Sequence, residues 1–138
     1  MARVMYQGVR DVNGVASVWI TTEQGVHGEL PLRLDIRNHS PTGFEWGYWG
    51  SGPRQLALAM IAHATGSDEK AEAYSNDFKC AVVGRFLHNG WEMSADDVRE
   101  CVESLHRRFA RELPTLSDFL DADAVCKADR APCGDPDE

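Results

Sequence analysis

None of the four cysteines, Cys80, Cys101, Cys126 and Cys133, stands in a C-x-x-C pair, and the nearest two are separated by six residues of a polar stretch. Zinc-ligand spacing is therefore absent, no metal or other cofactor is expected, and Cys80 and Cys101 read as small apolar residues on helices in a reducing compartment. The chain also lacks any run approaching the roughly 20 apolar residues of a membrane span. Its start, Met-Ala-Arg-Val-Met-Tyr-Gln, has no apolar stretch of the secretory kind, so the expected location is cytoplasmic. Basic charge is short as well. The net charge is −8, and it is uneven: residues 1–64 carry five basic and five acidic groups, residues 65–113 seven and ten, and residues 114–138 two and seven, leaving 0, −3 and −5. A chain of this sign has no diffuse attraction for a phosphate backbone, and its acidity suits a basic protein partner better.

What is present is apolar content sufficient for one core. With 138 residues and 43% hydrophobic side chains, a single α+β domain over residues 1–125 is expected, followed by a flexible acidic end over residues 126–138. Residues 3–10 and 14–22 have β-rich composition, and Asp11-Val12-Asn13-Gly14 between them predicts a hairpin. Leu30, Leu32, Leu34 and Ile36 alternate with polar residues and predict a third strand over residues 29–36, its start placed at an edge by Pro31.

Helical patterns follow. Residues 53–64 are apolar on nearly every face, which predicts a buried central helix. Residues 69–87 place Tyr74, Phe78, Ala81 or Val82, and Phe86 on one side, with His88-Asn89-Gly90 as the stop. Trp91 and Met93 return to the core as an extended bridge. Ser94 with Asp97 approximates a capping box, and Val98, Cys101, Val102, Leu105 and Phe109 trace a further helix up to Pro114. Leu116, Phe119 and Leu120 anchor a last short helix over residues 115–125. The expected architecture is a small N-terminal antiparallel sheet packed against about three helices.

Residues 38–54, Asn-His-Ser-Pro-Thr-Gly-Phe-Glu-Trp-Gly-Tyr-Trp-Gly-Ser-Gly-Pro-Arg, hold four glycines, two prolines and four aromatics in seventeen positions. Such a composition predicts a tight irregular loop, with a turn at Ser40-Pro41-Thr42-Gly43, Ser51 as a helix N-cap and Pro53 in the first helical turn. In an extended segment Trp46 and Tyr48 share one side and Trp49 takes the other, so one face of the loop is a candidate aromatic surface. Gly50, Ser51, Gly52 and Arg54 at a helix start are a candidate anion site, but no Walker or dinucleotide pattern surrounds them, and Pro53 removes a donor.

The run Arg37 to Tyr48 followed by Gly50 to Ala59 resembles an uncharacterised domain of small proteins from bacteriophages, plasmids and related mobile elements. The likeness extends more loosely from Tyr6-Gln7-Gly8 through Phe78-Lys79 to Trp91. One departure is Trp49, where the resemblance leads one to expect glycine. The resemblance implies a genomic setting, and with it the cytoplasm of a host cell, without an activity.

Catalysis is not expected. His39, Ser40 and Glu45 bring a base, a hydroxyl and a carboxylate together, yet residues of these types around turns bond local backbone, and no nucleophile elbow surrounds Ser40 or Ser51. His63 reads as a core or helix-end histidine, and His88 and His106 as helix C-terminal residues, while His27 lies in a loop without a visible partner. Asp96, Asp97, Glu100 and Glu103, interspersed with arginines, read as a solvated helix face, and Arg107, Arg108 and Arg111 as residues favoured by a helix C-terminus. The expected function is that of a non-enzymatic accessory protein that binds a host or phage protein, such as a defence complex it inhibits, through Asn38, His39, Glu45, Trp46, Tyr48, Trp49 and Arg54. The alternative is a nucleotide or single-stranded nucleic-acid binder, with the loop amides and Arg54 on phosphate and Trp46 or Trp49 stacked on a base.

Overall fold

Asp11 turns the chain back on itself: its carboxylate accepts hydrogen bonds from the amides of Asn13 (2.8 Å) and Val15 (3.0 Å), and Gly14 supplies the positive φ of 80° that the turn needs. In this computed structural model, which describes residues 3–111 and the side chains of residues 3–108, that turn joins strand β1 (Met5–Arg10) to strand β2 (Ala16–Thr22) in an antiparallel hairpin. The expected helix over residues 115–125, the acidic end, Arg111 as a cluster member, Cys126 and Cys133 lie outside the described side chains.

The third strand is not where alternation placed it. Strand β3 is Gly25–Glu29, paired antiparallel with β2 after the two-residue turn at Glu23 and Gln24. His27 is the extra residue of a bulge there, because Thr21 faces Val26 while Ile20 faces Gly28. Residues 30–36 are irregular: Arg33 takes a φ of 59°, and the Ile36 amide closes a turn onto the Arg33 carbonyl at 3.1 Å. Leu30 is buried, Leu32 and Ile36 pack against the core, and Leu34 is exposed, so the spacing of two came from a loop laid over the helices. Arg33 ties this loop down by bonding both oxygens of Asp35 (3.0 Å each) and the carboxylate of Asp68 (3.2 Å).

Trp91 and Met93 do more than bridge. They belong to strand β4 (Gly90–Ser94), which pairs antiparallel with β1 and completes a four-stranded sheet of order β3-β2-β1-β4. Tyr6, Val18 and Ile20 point from one face into the core and are nearly or fully buried. Gly8 shares that face, and its missing side chain is required. A Cβ there would stand 2.1 Å from Nε1 of Trp91, whose indole lies across the strand, stacked on Phe86 at 4.1 Å and set edge to face with Trp46 at 5.6 Å.

Helix α1 (Ser51–Thr65) occupies the centre, buried along most of its length from Gly52 to Ala64. Gly66, with a φ of 69°, ends it, and Ser67 caps helix α2 (Asp68–Ala81) by accepting a hydrogen bond from the Lys70 amide. The α2 helix stops six residues short of Leu87, the expected end, because Val82, Val83 and Gly84 are poor helix formers; a 3₁₀ turn over Val83–Arg85 follows. His88-Asn89-Gly90 is then a turn into β4, not a helix cap. Ser94 caps helix α3 (Ala95–Arg111) as expected, its Oγ accepting from the Asp97 amide at 3.0 Å. Among the described residues the fold is α+β, an antiparallel sheet with three α-helices.

Candidate functional site

The irregular loop ahead of α1 is held by polar anchors that come from far along the chain. Gln55, fully buried on α1, uses all of its amide group. Its Oε1 accepts from the amides of His39 (2.7 Å) and Ser40 (3.0 Å), and its Nε2 donates to the carbonyls of Leu32 (2.6 Å) and Arg37 (3.1 Å). Four backbone groups that no strand or helix would satisfy are thus paired by one side chain. The turn at residues 40–43 forms as expected, with Ser40 Oγ donating to the Gly43 carbonyl at 2.9 Å.

Arg10, at the end of β1, is the second anchor. Its guanidinium forks onto Glu45 (2.8 and 3.3 Å), donates to the carbonyls of His88 (2.7 Å) and Gly14 (3.1 Å), and lies 4.6 Å from the centroid of the Trp46 ring. The His88 carbonyl also accepts from Trp46 Nε1 at 3.1 Å. Hairpin tip, loop and the turn before β4 meet on this one side chain, whose exposure is 9% against 37% for Glu45.

These contacts reassign the candidate residues. Trp46 is 1% exposed and belongs to the core, so it is removed from the partner-facing and base-stacking sets. Tyr48 does not share its side, because Gly47, with a φ of 85°, breaks the extended alternation. Trp49 is half-buried: its Nε1 donates to the Cys80 carbonyl at 3.4 Å, and its indole covers Gly84, where a Cβ would stand 2.3 Å from Nε1. Neither indole is therefore presented as a stacking platform. Tyr48 is 43% exposed and rests on the bare backbone of Gly50 and Gly52: a Cβ on Gly50 would be 2.6 Å from its ring, and one on Gly52 3.4 Å from its hydroxyl. Asn38 is exposed, and His39 and Arg54 are half-buried beside it in the chain and at the helix start respectively.

The helix start is not an open anion cradle. Gly50, rather than Ser51, is the N-cap, without a side-chain cap bond, and its carbonyl accepts from the Arg54 amide at 3.1 Å; Ser51 is the first helical residue and is exposed. Tyr48 covers Gly50, and the Glu45 stem packs at Gly52, where a Cβ would lie 2.8 Å away. An acidic side chain already stands at the positive end of this helix.

At the other end of α1, Tyr6 and His63 form a hydrogen-bonded pair, Oη to Nδ1 at 2.7 Å, with the rings edge to face. Burial, offset in part by the nearby Arg99 charge, raises the Tyr6 phenol well above its ordinary value, so the phenol keeps its proton within the pair. Burial, followed by the charge of His27, holds His63 below its ordinary value of 6.5. The unfolded chain therefore binds the His63 proton first as pH falls. Stability from this group is complete above about pH 6.5 and declines as pH drops below it, towards the lowered folded value. The wild type should lose stability relative to a His63→Phe variant on acidification through this window, by less than about 1 kcal/mol because the ring is partly solvated. Thermal melts of both proteins at stepped pH read it; parallel curves would contradict it.

His88 is not a helix-end residue of the kind expected: it lies in the turn before β4 and contributes its carbonyl. His106 stands in the C-terminal part of α3, as expected, and pairs through Nδ1 with the Tyr74 hydroxyl at 2.7 Å. Cys80 and Cys101 are half-buried, and burial, then Asp97 and Glu100, pushes the Cys101 thiol up and away from reactivity. Among the described residues no helix is long and apolar enough to cross a membrane.

Sequence reading missed Arg10 and Gln55 as site residues. For Gln55 a signal existed: it is a polar residue at the head of a run otherwise apolar on nearly every face. A model of a family of unknown function, DUF6166, matches residues 6–104. No curated protein matches the chain, and no solved structure does.

Proposed function

This chain belongs to DUF6166, a family of unknown function, and from that premise we propose that it is a non-enzymatic accessory protein that works by binding another protein. A phage or mobile-element setting, with a host defence complex as the inhibited target, is the form of this role that the sequence favours. The observation that carries the reading is Tyr48: a loop otherwise fixed inward by Gln55, Arg10, Trp46 and Trp49 leaves this aromatic 43% exposed on a bed of two glycines. A rigid, half-exposed tyrosine loses little conformational freedom on binding, which is what makes such residues effective interface anchors. Asn38 and the half-buried His39 and Arg54 supply polar groups from the same loop and helix start. Glu45 contributes with its partly exposed carboxylate held in place by Arg10.

Tyr48→Ala removes the anchor and leaves the inward contacts intact. Tagged wild-type protein is expected to retain a partner from host-cell extract, and Tyr48→Ala to retain at least tenfold less, as the loss of about 2 kcal/mol at an anchor implies, with an unchanged circular dichroism spectrum. Equal retention by the two proteins would refute the role of Tyr48.

A further inference from the structure

The face of the sheet turned away from the helices carries one register row with a definite chemical character. Reading across all four strands, Glu29 of β3 faces Trp19 of β2, Trp19 faces Gln7 of β1, and Gln7 faces Glu92 of β4. Side chains alternate along a strand, so these four lie opposite the buried set of Tyr6, Val18 and Ile20 and share the outer surface. Glu29 and Glu92 are exposed, and Trp19 and Gln7 are partly so. The Trp19 indole leans along its strand, with Nε1 donating to Ser17 Oγ at 3.0 Å, so its donor is used within the sheet and its ring lies along the surface. None of the ion pairs among the described residues involves either glutamate.

We propose that this row is a docking surface for an extended segment of a protein partner that carries an arginine or lysine, the cation seated over Trp19 between Glu29 and Glu92. Strands stand about 4.8 Å apart, so one carboxylate is a single strand from the indole and the other two strands away on the opposite side. A guanidinium or ammonium over the ring gains the cation–π attraction and lies within side-chain reach of both acids. Gln7, between Trp19 and Glu92, offers an amide to the segment's backbone. The one basic residue of β1, Arg10, is turned to the other face and engaged by Glu45 and the His88 carbonyl, and Arg3, which precedes β1, is four positions from Gln7, about 13 Å for extended chain, too far to neutralise the row. Single-stranded nucleic acid, which also stacks on aromatic sheet faces, is disfavoured here because two carboxylates flank the ring. This surface is separate from Tyr48 and does not depend on it.

The test is a titration of the isotopically labelled full chain with a short peptide of alternating arginine and threonine, followed by amide and indole resonances. The proposal expects the shifts to centre on Gln7, Trp19 with its indole N–H, Glu29 and Glu92. Glu29→Gln and Glu92→Gln are expected to weaken binding about two- to fivefold each, and Trp19→Thr, a β-compatible replacement, to weaken it further. Tyr48→Ala should bind the peptide as the wild type does, which keeps this test independent of the Tyr48 reading. Shifts centred instead on the acidic start of α3, unchanged affinity in both glutamine variants, or the same resonances moved by an oligothymidylate would each overturn the proposal. Folding of every variant is checked by its thermal melt.

Discussion

Replacing Gln55 by alanine is expected to destabilise the protein by roughly 3–5 kcal/mol, a large effect for a single polar side chain. The four backbone groups it serves, the amides of His39 and Ser40 and the carbonyls of Leu32 and Arg37, lose their partner at a position where the side chain itself is fully buried. Each unsatisfied buried group costs on the order of 1–3 kcal/mol, and movement of the loop towards water recovers part of the total. Gln55→Glu separates hydrogen bonding from packing, since the two side chains have nearly the same shape. Its carboxylate still accepts from the two amides but sets an anionic oxygen against the two carbonyls that Nε2 now serves, so this isosteric change should also destabilise at neutral pH. Protonation restores one donor, and the deficit of Gln55→Glu relative to wild type should shrink as pH falls. Urea unfolding of the three proteins at neutral and mildly acidic pH measures this; a Gln55→Glu protein as stable as wild type at neutral pH would contradict the hydrogen-bond assignment.

Arg10→Met should cost roughly 2–4 kcal/mol, because it takes donors from the carbonyls of His88 and Gly14 and a positive charge from Glu45 and the Trp46 ring. Glu45 is 37% exposed, so on losing its partner it can recover hydration, and the penalty falls mainly on the two carbonyls and on the packing against Trp46. A double-mutant cycle makes this checkable. Glu45→Gln alone should cost about 1 kcal/mol, and in the Arg10→Met background nearly nothing, giving a coupling close to 1 kcal/mol. Additive effects, with Glu45→Gln equally costly in both backgrounds, would show that the ion pair contributes nothing to the anchor.

These two residues also mark the limit of what was legible in the sequence. The hairpin could be read because Asp11 and Gly14 act on neighbouring groups, and the capping of α3 because Ser94 and Asp97 are three positions apart. Central placement of α1 followed from its apolar run. Alternation over residues 29–36 misled because a loop draped across helices can turn Leu30, Leu32 and Ile36 towards the core without any ladder while Leu34 stays exposed, and the real strand, Gly25–Glu29, is largely exposed and carries too little apolar pattern to announce itself. For the loop itself, its aromatics and glycines were visible, but which way each ring points was not. That depends on Gly47 at a φ of 85° and on contacts 31 and 42 residues away, Trp49 to Cys80 and Trp46 to His88. Arg10 bonds Glu45 at a separation of 35 residues and His88 at 78, and no local pattern carries such information. The glycine-and-aromatic motif therefore encodes mainly a scaffold, and Tyr48 is the large ring that this scaffold leaves at the surface.

The most direct test of that account is amide hydrogen exchange at His39 and Ser40 in the native full chain. Both amides lie in irregular structure, where exchange is ordinarily fast, yet the buried Gln55 oxygen holds them at 2.7 and 3.0 Å. Protection comparable to that of the α1 amides is the predicted result. Exchange at the rate of an open loop while α1 stays protected would show that Gln55 does not hold the loop, and the account built on it would fail.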